Sequence, residues 1–167
     1  MSLRLTAEID GLQQFQRVMR NINDAARREL QEAVDESGEA VRDSAVRAIL
    51  HGEKTGRVYT HYLEKINGRL VPVRKRSTPH QASAPGEAPA SDSGYLVANI
   101  VVDGQVAPLE VAVVSLAPYS EELEYGRMSG RYPMEPRPFM RPALMENEDS
   151  TVARIIAALR RVARGQR

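Results

Sequence analysis

The stretch DAARRELQEAVDESGEAVRDSAVRAIL, residues 24–50, decides the fold. Its apolar side chains recur at the three- and four-residue spacing of one helix face, while acids and arginines occupy the other faces. These apolar positions are Ala26, Leu30, Ala33, Val34, Val41, Ala45 and Ile49. A helix of this length measures roughly 40 Å, which exceeds what a small domain needs. Part of it is therefore expected to face a neighbour, an interpretation compatible with one long core helix.

Segments with strand patterns flank this helix. Residues 3–9 alternate apolar and polar side chains, as is typical of a half-buried strand. The Val-rich segments 97–102 and 109–115, on either side of Asp103-Gly104, predict a hairpin in the same sheet. Further helices are predicted at 12–22, 119–125, 142–145 and 152–163. The chain is thus predicted to be one α+β domain over 1–167, with a small antiparallel sheet packed against one long helix and a C-terminal helix.

Residues 54–94 are predicted to form a projecting arm within that domain. Val58–Ile66 and Arg69–Lys75 flank Asn67-Gly68, the strongest short hairpin signal. Pro72 restricts the second strand to an edge. Residues 76–94 are rich in Ser, Pro, Ala and Gly and have little to bury, so they predict an extended tether.

Composition narrows the classes of function. The 167 residues are 42% hydrophobic with a net charge of +1 and no cysteine, which excludes disulfides and thiolate chemistry. No apolar run approaches the roughly 18 residues of a membrane span, and no signal core is seen, so we expect a protein made and kept in a cytosol or in an assembly built there. Opposite local charges favour self-assembly or docking to a charged partner, although a solvated surface accounts for them equally well.

No motif predicts catalysis. His51, His61 and His80 are the only histidines, and their spacing matches no metal site. The serines and aspartates lack a nucleophile-elbow context, and no phosphate-cradling loop is seen. We therefore predict a protein that is not an enzyme, with no catalytic, metal or cofactor-binding residue.

Seven blocks of sequence, in this order, resemble one known family. They are KTGRVY (54–59), HQASAPGEAPA (80–90), DSGYL (92–96), NI (99–100), APY (117–119), LEYG (123–126) and MEPRPFMRPAL (134–144). Together they resemble the tail-completion or minor tail family of lambdoid long-tailed phages and prophages, whose members are gene-product-ten-like. The chain departs from the family at Ser93, where Thr is more frequent, and at Arg127–Gly130, where a Gly-Thr pair is more usual.

This resemblance implies a structural protein of the virion neck, assembled in the host cytoplasm. Such a protein finishes the head-proximal end of the tail as a homo-oligomeric ring of roughly six copies. Its implied partners are the tail terminator, the major tail tube protein and the head–tail connector, with non-specific contact to DNA in the neck channel and no membrane.

Three groups of residues are the candidate interface. The basic run of the arm contributes Arg74, Lys75 and Arg76, and the acidic segment 119–125, with Tyr119, Glu121 and Glu122, is a plausible partner for it in the next subunit. The Pro-stiffened loop contributes Pro85, Gly86, Glu87 and Pro89, expected either to lie along a neighbouring subunit or to form a disordered linker. The third group is Arg137, Phe139 and Arg141.

Phe139 and the basic last helix carry alternatives as well. Phe139 either anchors in a neighbour or pins the last helix to the sheet, and the second is preferred. The basic last helix, through Arg154, Arg160, Arg161 and Arg164, is expected to contact DNA or a partner. On that basis the alternative function is a small nucleic-acid-binding module, against which stand the near-zero net charge and the lack of a binding motif.

Overall fold

The computed structural model describes residues 3–5, 24–129 and 133–165. Its helices are α1 (Asp24–His51), α2 (Tyr95–Ala98), α3 (Ser120–Tyr125) and α4 (Met140–Gly165). Its strands are β1 (Leu3–Leu5), β2 (Val58–Ile66), β3 (Arg69–Gln81), β4 (Ile100–Ala107) and β5 (Glu110–Ser115). Within these ranges, no helix combines the length and apolar character that crossing a bilayer requires. The helix predicted at 12–22 and the end of the first predicted strand lie outside the described residues.

The strands form two separate antiparallel sheets, which with the helices confirm the predicted α+β class. One sheet has the order β1-β5-β4, and the other consists of β2 and β3. In the first, Leu3 and Ile100 both lie opposite Ser115, on either side of β5. The N-terminal strand and the Val-rich hairpin therefore share one sheet, as predicted.

The turn of the β4–β5 hairpin lies later than predicted. Asp103-Gly104 falls inside β4, where the pairing register shifts between Asp103 and Ala107. The chain reverses at Pro108-Leu109 instead, and Leu109 has a positive φ of 60°. Its N–H donates to Gln31 Oε1 of α1 at 2.8 Å, so a contact distant in sequence holds the turn. Val97, predicted to begin a strand, lies in α2.

Helix α1 packs on β4 and β5 through a glycine. A Cβ at Gly38 would lie 2.7 Å from Val111 Cγ2 and 3.2 Å from Val102 Cγ1. Both distances are shorter than ordinary carbon contacts, so only glycine lets the helix approach the sheet this closely. The helix runs over 28 residues and confirms the predicted span closely.

Helix α4 lies antiparallel along α1 as one continuous helix of 26 residues. Its register is marked by Asn147 Nδ2, which donates to Ser44 Oγ at 2.9 Å, and by Arg154 Nη1, which donates to Ser37 Oγ at 2.9 Å. The two predicted helical segments at 142–145 and 152–163 are thus parts of a single element. Its first turn meets α1 and the sheet in the main hydrophobic core, which is built from Val41, Ala45, Ile49, Leu96, Ile100, Val113, Ala117, Phe139, Met140 and Ala143.

Candidate interface

The β2–β3 hairpin is the most exposed element that the structure describes. No residue of either strand is buried. The turn is formed by Asn67 and Gly68 at φ 50° and 79°, the left-handed pair that a two-residue hairpin loop requires, as predicted. Pro72 lies in a strand of a two-stranded sheet, so the predicted edge position is confirmed. The hairpin continues six residues further than predicted, to Gln81.

Apolar side chains are exposed on both faces of this hairpin. Residues directly opposite each other on paired strands share a face, and consecutive pairs alternate between faces. The consecutive pairs are Leu63–Pro72, Glu64–Val71, Lys65–Leu70 and Ile66–Arg69. Leu70 on one face is 64% exposed and Ile66 on the other is 45% exposed. Neither face therefore covers a core, and two-stranded hairpins alone are at best marginally stable in water.

The hairpin is also basic. Residues 58–81 contain five Lys or Arg and one acid, Glu64. The guanidinium carbons of Arg74 and Arg76 lie 4.7 and 4.2 Å from the centre of the Tyr62 ring, which orders them by cation–π contact. Three further cations, Lys65, Arg69 and Lys75, form no ion pair with any residue that the structure describes.

A bidentate ion pair ties the hairpin to the body. Arg76 Nη1 and Nη2 donate to the two carboxylate oxygens of Asp92 at 2.6 and 2.7 Å. The Arg76 hydrogen bonds lower the pKa of Asp92 below its ordinary value, although burial works against them. The Arg76 side chain is only 11% exposed, so this predicted interface residue is largely occupied within its own chain. Beside it, Gly56 and Arg57 exchange backbone hydrogen bonds with Ala82, which closes the hairpin's base.

The Pro-stiffened loop packs against its own chain. Ser83 and Pro89 are buried and Ala88 packs on the main core. The Glu87 carboxylate accepts the N–H groups of Ala84 and Thr55 at 2.7 and 3.0 Å and the Thr55 hydroxyl proton. These bonds, the hydroxyl first, lower the pKa of Glu87. Glu87 therefore orders the loop, while docking of the loop on a neighbour stays a prediction, with Pro85 and Gly86 as its exposed residues.

The two Pro-punctuated segments meet. Gly86 N donates to Pro136 O at 2.9 Å, and Arg137 Nε donates to Ser83 O at 3.3 Å. The backbone N–H of Arg137 donates to Leu123 O at 2.6 Å. Arg137 thus joins the loop, α3 and the entrance to α4, which leaves it half-buried rather than presented to a partner.

Phe139 is 0% exposed and lies in the main core, so the preferred expectation that it pins α4 to the sheet is confirmed. Arg141, by contrast, is exposed, with its guanidinium carbon 5.5 Å from the Tyr125 ring centre. Of this group, Arg141 remains the candidate for an intermolecular contact.

A buried carboxylate, which was not predicted from the sequence, caps the start of α4. Glu124 is 1% exposed and accepts the N–H groups of Phe139, Met140 and Arg141 at 2.8, 3.0 and 2.9 Å. These N–H groups open α4 and have no partner inside the helix, and Pro142 follows them without an N–H. Pro142 indicates the start of a helix in the sequence. Its capping acid could not be predicted, because Glu124 lies 15 residues or more upstream, beyond any local capping pattern.

Helix α3 presents only part of its predicted acidic face. Glu122 pairs with Arg127 at 2.7 Å, whereas Glu121 is exposed. The Tyr119 ring centre lies 6.3 Å from that of Tyr95, and burial raises the pKa of Tyr119. Pairing of this helix with Arg74, Lys75 and Arg76 of another subunit stays a prediction.

Helix α4 uses two of its four predicted contact arginines internally. Arg154 Nε lies 3.5 Å from Glu36 Oε2, and Arg161 pairs with Glu29, both across to α1. Arg160 and Arg164 are exposed and remain candidates for DNA or partner contact.

Among the described residues, no group of three or more His, Cys, Asp or Glu side chains is arranged to hold a metal ion. Comparison with protein-family models, with curated proteins and with solved structures found no match to this chain.

Proposed function

We propose that this chain is a structural subunit of a phage neck, a tail-completion protein that assembles with itself at the head-proximal end of the tail. Support comes first from the ordered sequence blocks over 54–144, which resemble that family. The observation that most favours a role in assembly is the exposure of the β2–β3 hairpin. Neither strand has a buried residue, and apolar side chains are exposed on both faces. Exposed apolar surface of this kind marks sites where another molecule binds.

The rest of the chain is consistent with a subunit rather than a catalyst. The body has its own hydrophobic core, and its buried carboxylate, Glu124, is satisfied by three backbone N–H groups that order α4. A body with its own core and one exposed hairpin suits an assembly subunit, since the hairpin can contact a neighbour without deforming the core. We propose no reaction for it.

Electron microscopy of lysates tests this function directly. A phage carrying a stop codon at Gln14 is expected to accumulate full heads beside separate tails, and wild-type protein supplied from a plasmid is expected to restore joined virions. A variant in which a short Gly-Ser link replaces residues 58–81 is expected to fold but not to restore joining, because Arg57 and Ala82 are hydrogen-bonded across the base and are easily bridged. Joined virions without the protein would refute the proposal.

The alternative, a nucleic-acid-binding module using α4, has less support. Arg154 and Arg161 are engaged by carboxylates of α1, which leaves Arg160 and Arg164 on that helix for phosphates. Strong binding to duplex DNA that falls steeply with added salt, and that is lost on replacing these two arginines, would promote this alternative.

A further inference from the structure

We propose that the β2–β3 hairpin of one copy docks on the outer face of α1 in a second copy. This face is formed by five carboxylates, and we call it the acidic face of α1: Glu32, Asp35, Glu36, Glu39 and Asp43. The inference rests on the proposed function only in that the chain assembles with itself.

The exposed side chains of the hairpin favour a protein as its partner. Its apolar side chains are exposed on both faces, with Leu70 and Ile66 as examples. Phosphate groups would neutralise the basic residues but would not cover this apolar area, whereas a protein surface does both. A protein is therefore favoured over nucleic acid as the occupant, and the carboxylates of α1 point to a second copy of this chain.

The acidic face of α1 supplies the complementary charge. Its five carboxylates recur at helical spacing on one side, and Glu32, Glu36, Glu39 and Asp43 have exposed side chains. The buried residues of the helix lie on the other side, where it packs on the sheet and α4. Three of the carboxylates have cationic partners, since Arg42 contacts Glu39 and Asp43, and Arg154 contacts Glu36. Net negative charge remains along the row.

The dimensions of the two surfaces agree. From Glu32 to Asp43 the helix rises about 16 Å at about 1.5 Å per residue. From Arg69 to Lys75 the strand rises about 20 Å at about 3.3 Å per residue. A basic ribbon of this length therefore covers the whole acidic row. Helix α3 is a shorter alternative, of six residues, and its Glu122 is already paired with Arg127.

Because the hairpin and the acidic face are different surfaces, the contact is head-to-tail. A contact of that type produces a closed ring or an open filament when each copy donates its hairpin to one neighbour and receives one from another, and a two-fold dimer when two copies exchange hairpins. A ring is the assembly that the family resemblance implies, and self-association is measurable without any phage component.

Charge reversal tests the pairing. One variant carries Lys65→Glu and Lys75→Glu on the hairpin and keeps both members of the Arg76–Asp92 pair. The other carries Glu32→Lys and Glu39→Lys on α1, and a matched control carries Glu146→Lys and Glu148→Lys, two exposed residues of α4. Analytical ultracentrifugation over a concentration series measures self-association, and circular dichroism checks that each variant is folded.

Each of the first two variants is expected to associate at least about tenfold more weakly than wild type, while the control is unchanged. An equimolar mixture of the two is expected to associate again, since each reversed hairpin then meets a reversed α1. Unchanged association of either variant, failure of the mixture to recover, or a wild-type protein that stays monomeric throughout would overturn the proposal.

Cross-linking gives a second measurement that needs no variant. The chain has three lysines, and two of them, Lys65 and Lys75, lie on the hairpin. Carbodiimide treatment of mixed unlabelled and ¹⁵N-labelled protein is expected to join these lysines to the acidic face of α1 across copies. A link within one copy between Lys54 and Glu87, whose charges interact, is the internal control. Links between copies that end on other carboxylates would overturn the assignment.

The outcomes separate this inference from the proposed function. Association through these surfaces in a protein that is dispensable for joining heads to tails would leave the docking intact and remove the neck role. Joining that depends on the protein but survives both charge reversals would keep the neck role and overturn the docking. Salt-dependent DNA binding lost in the hairpin variant of a monomeric protein would favour nucleic acid instead.

Discussion

The two antiparallel hairpins of this chain both contain many branched apolar residues but differ in how far they are buried. Both β2–β3 and β4–β5 are rich in branched apolar residues, yet Ile100, Ala112 and Val113 of the second are buried while no residue of the first is. The difference lies in α1, which packs on the β4–β5 hairpin at Gly38 and buries no residue of β2 or β3. The first hairpin therefore owes its shape to its turn and its base, and the second to the rest of the body.

The largest effect is expected in the body, from Phe139→Ala. Phe139 is fully buried where α4 meets the sheet, so its loss leaves a cavity as well as removing apolar contacts. We expect the free energy of unfolding to fall by about 4 kcal/mol. Urea titration followed by circular dichroism measures this free energy. A decrease smaller than about 1 kcal/mol would contradict the assignment of Phe139 to the core of the body.

A somewhat smaller effect is expected from Glu124→Gln. The amide cannot accept all three N–H groups with the strength of a carboxylate, and it turns donors toward donors at the start of α4. We expect a loss of about 3 kcal/mol in the same titration. Glu121→Gln, on the same short helix but exposed, is the matched control and should change stability by less than about 0.5 kcal/mol.

Acid is expected to loosen the hairpin's base before the body unfolds. The pKa of Asp92 is lowered from its ordinary value of 3.8 by Arg76, so this pair stabilises the folded state fully above that pH. The stabilisation is lost as the pH falls through the lowered pKa of the folded state. Its size is modest because Asp92 is about half exposed and screened by solvent.

Hydrogen exchange read by mass spectrometry follows this loosening. After correction for the pH dependence of the intrinsic rate, peptides from residues 58–81 should exchange faster below about pH 3.8, while peptides from α1 keep their protection. Asp92→Asn should show the faster exchange already at neutral pH. Equal protection of the hairpin in both proteins at neutral pH would show that the ion pair does not hold its base.

The smallest effect is expected from Leu70→Ser near the tip. Leu70 is mostly exposed, so the free energy of unfolding of the single copy should change by less than about 0.5 kcal/mol. The same variant should weaken self-association, since this side chain is among those that a second copy would cover. A large loss of stability in the monomer would mean that the hairpin packs on its own body in solution.

Local signals in the sequence predicted local structure well. Asn67-Gly68 placed the exposed hairpin because its turn requires left-handed backbone at two residues, which few other pairs adopt. Asp103-Gly104 carries a similar signal but lies inside β4, and the chain turns instead at Leu109, whose N–H donates to Gln31 of α1. The span of α1 was likewise predictable from apolar spacing, and the core position of Phe139 was the preferred one of two expectations.

What the sequence did not show depends on contacts between distant residues. The clamp of Glu124 on α4, and the bonds of Arg137 and Gly86 that bring the two Pro-punctuated segments together, join elements with no shared periodicity. Several residues chosen as interface candidates, among them Glu87 and Arg76, are occupied by such internal contacts. A charged residue in a loop looks the same in sequence whether its partner lies in its own chain or in another.

The antiparallel pairing of α1 with α4 sets an order of events during synthesis. Helix α1 is made early, but the helix that covers it is the last described element of the chain. The β2–β3 hairpin needs only contacts within 58–81 and its base, and local contacts form sooner than distant ones. We expect the β2–β3 hairpin to form before α4 packs on α1. A polypeptide cut short before α4 would leave the apolar face of α1 partly uncovered, and exposed apolar surface makes a partly folded chain prone to aggregation.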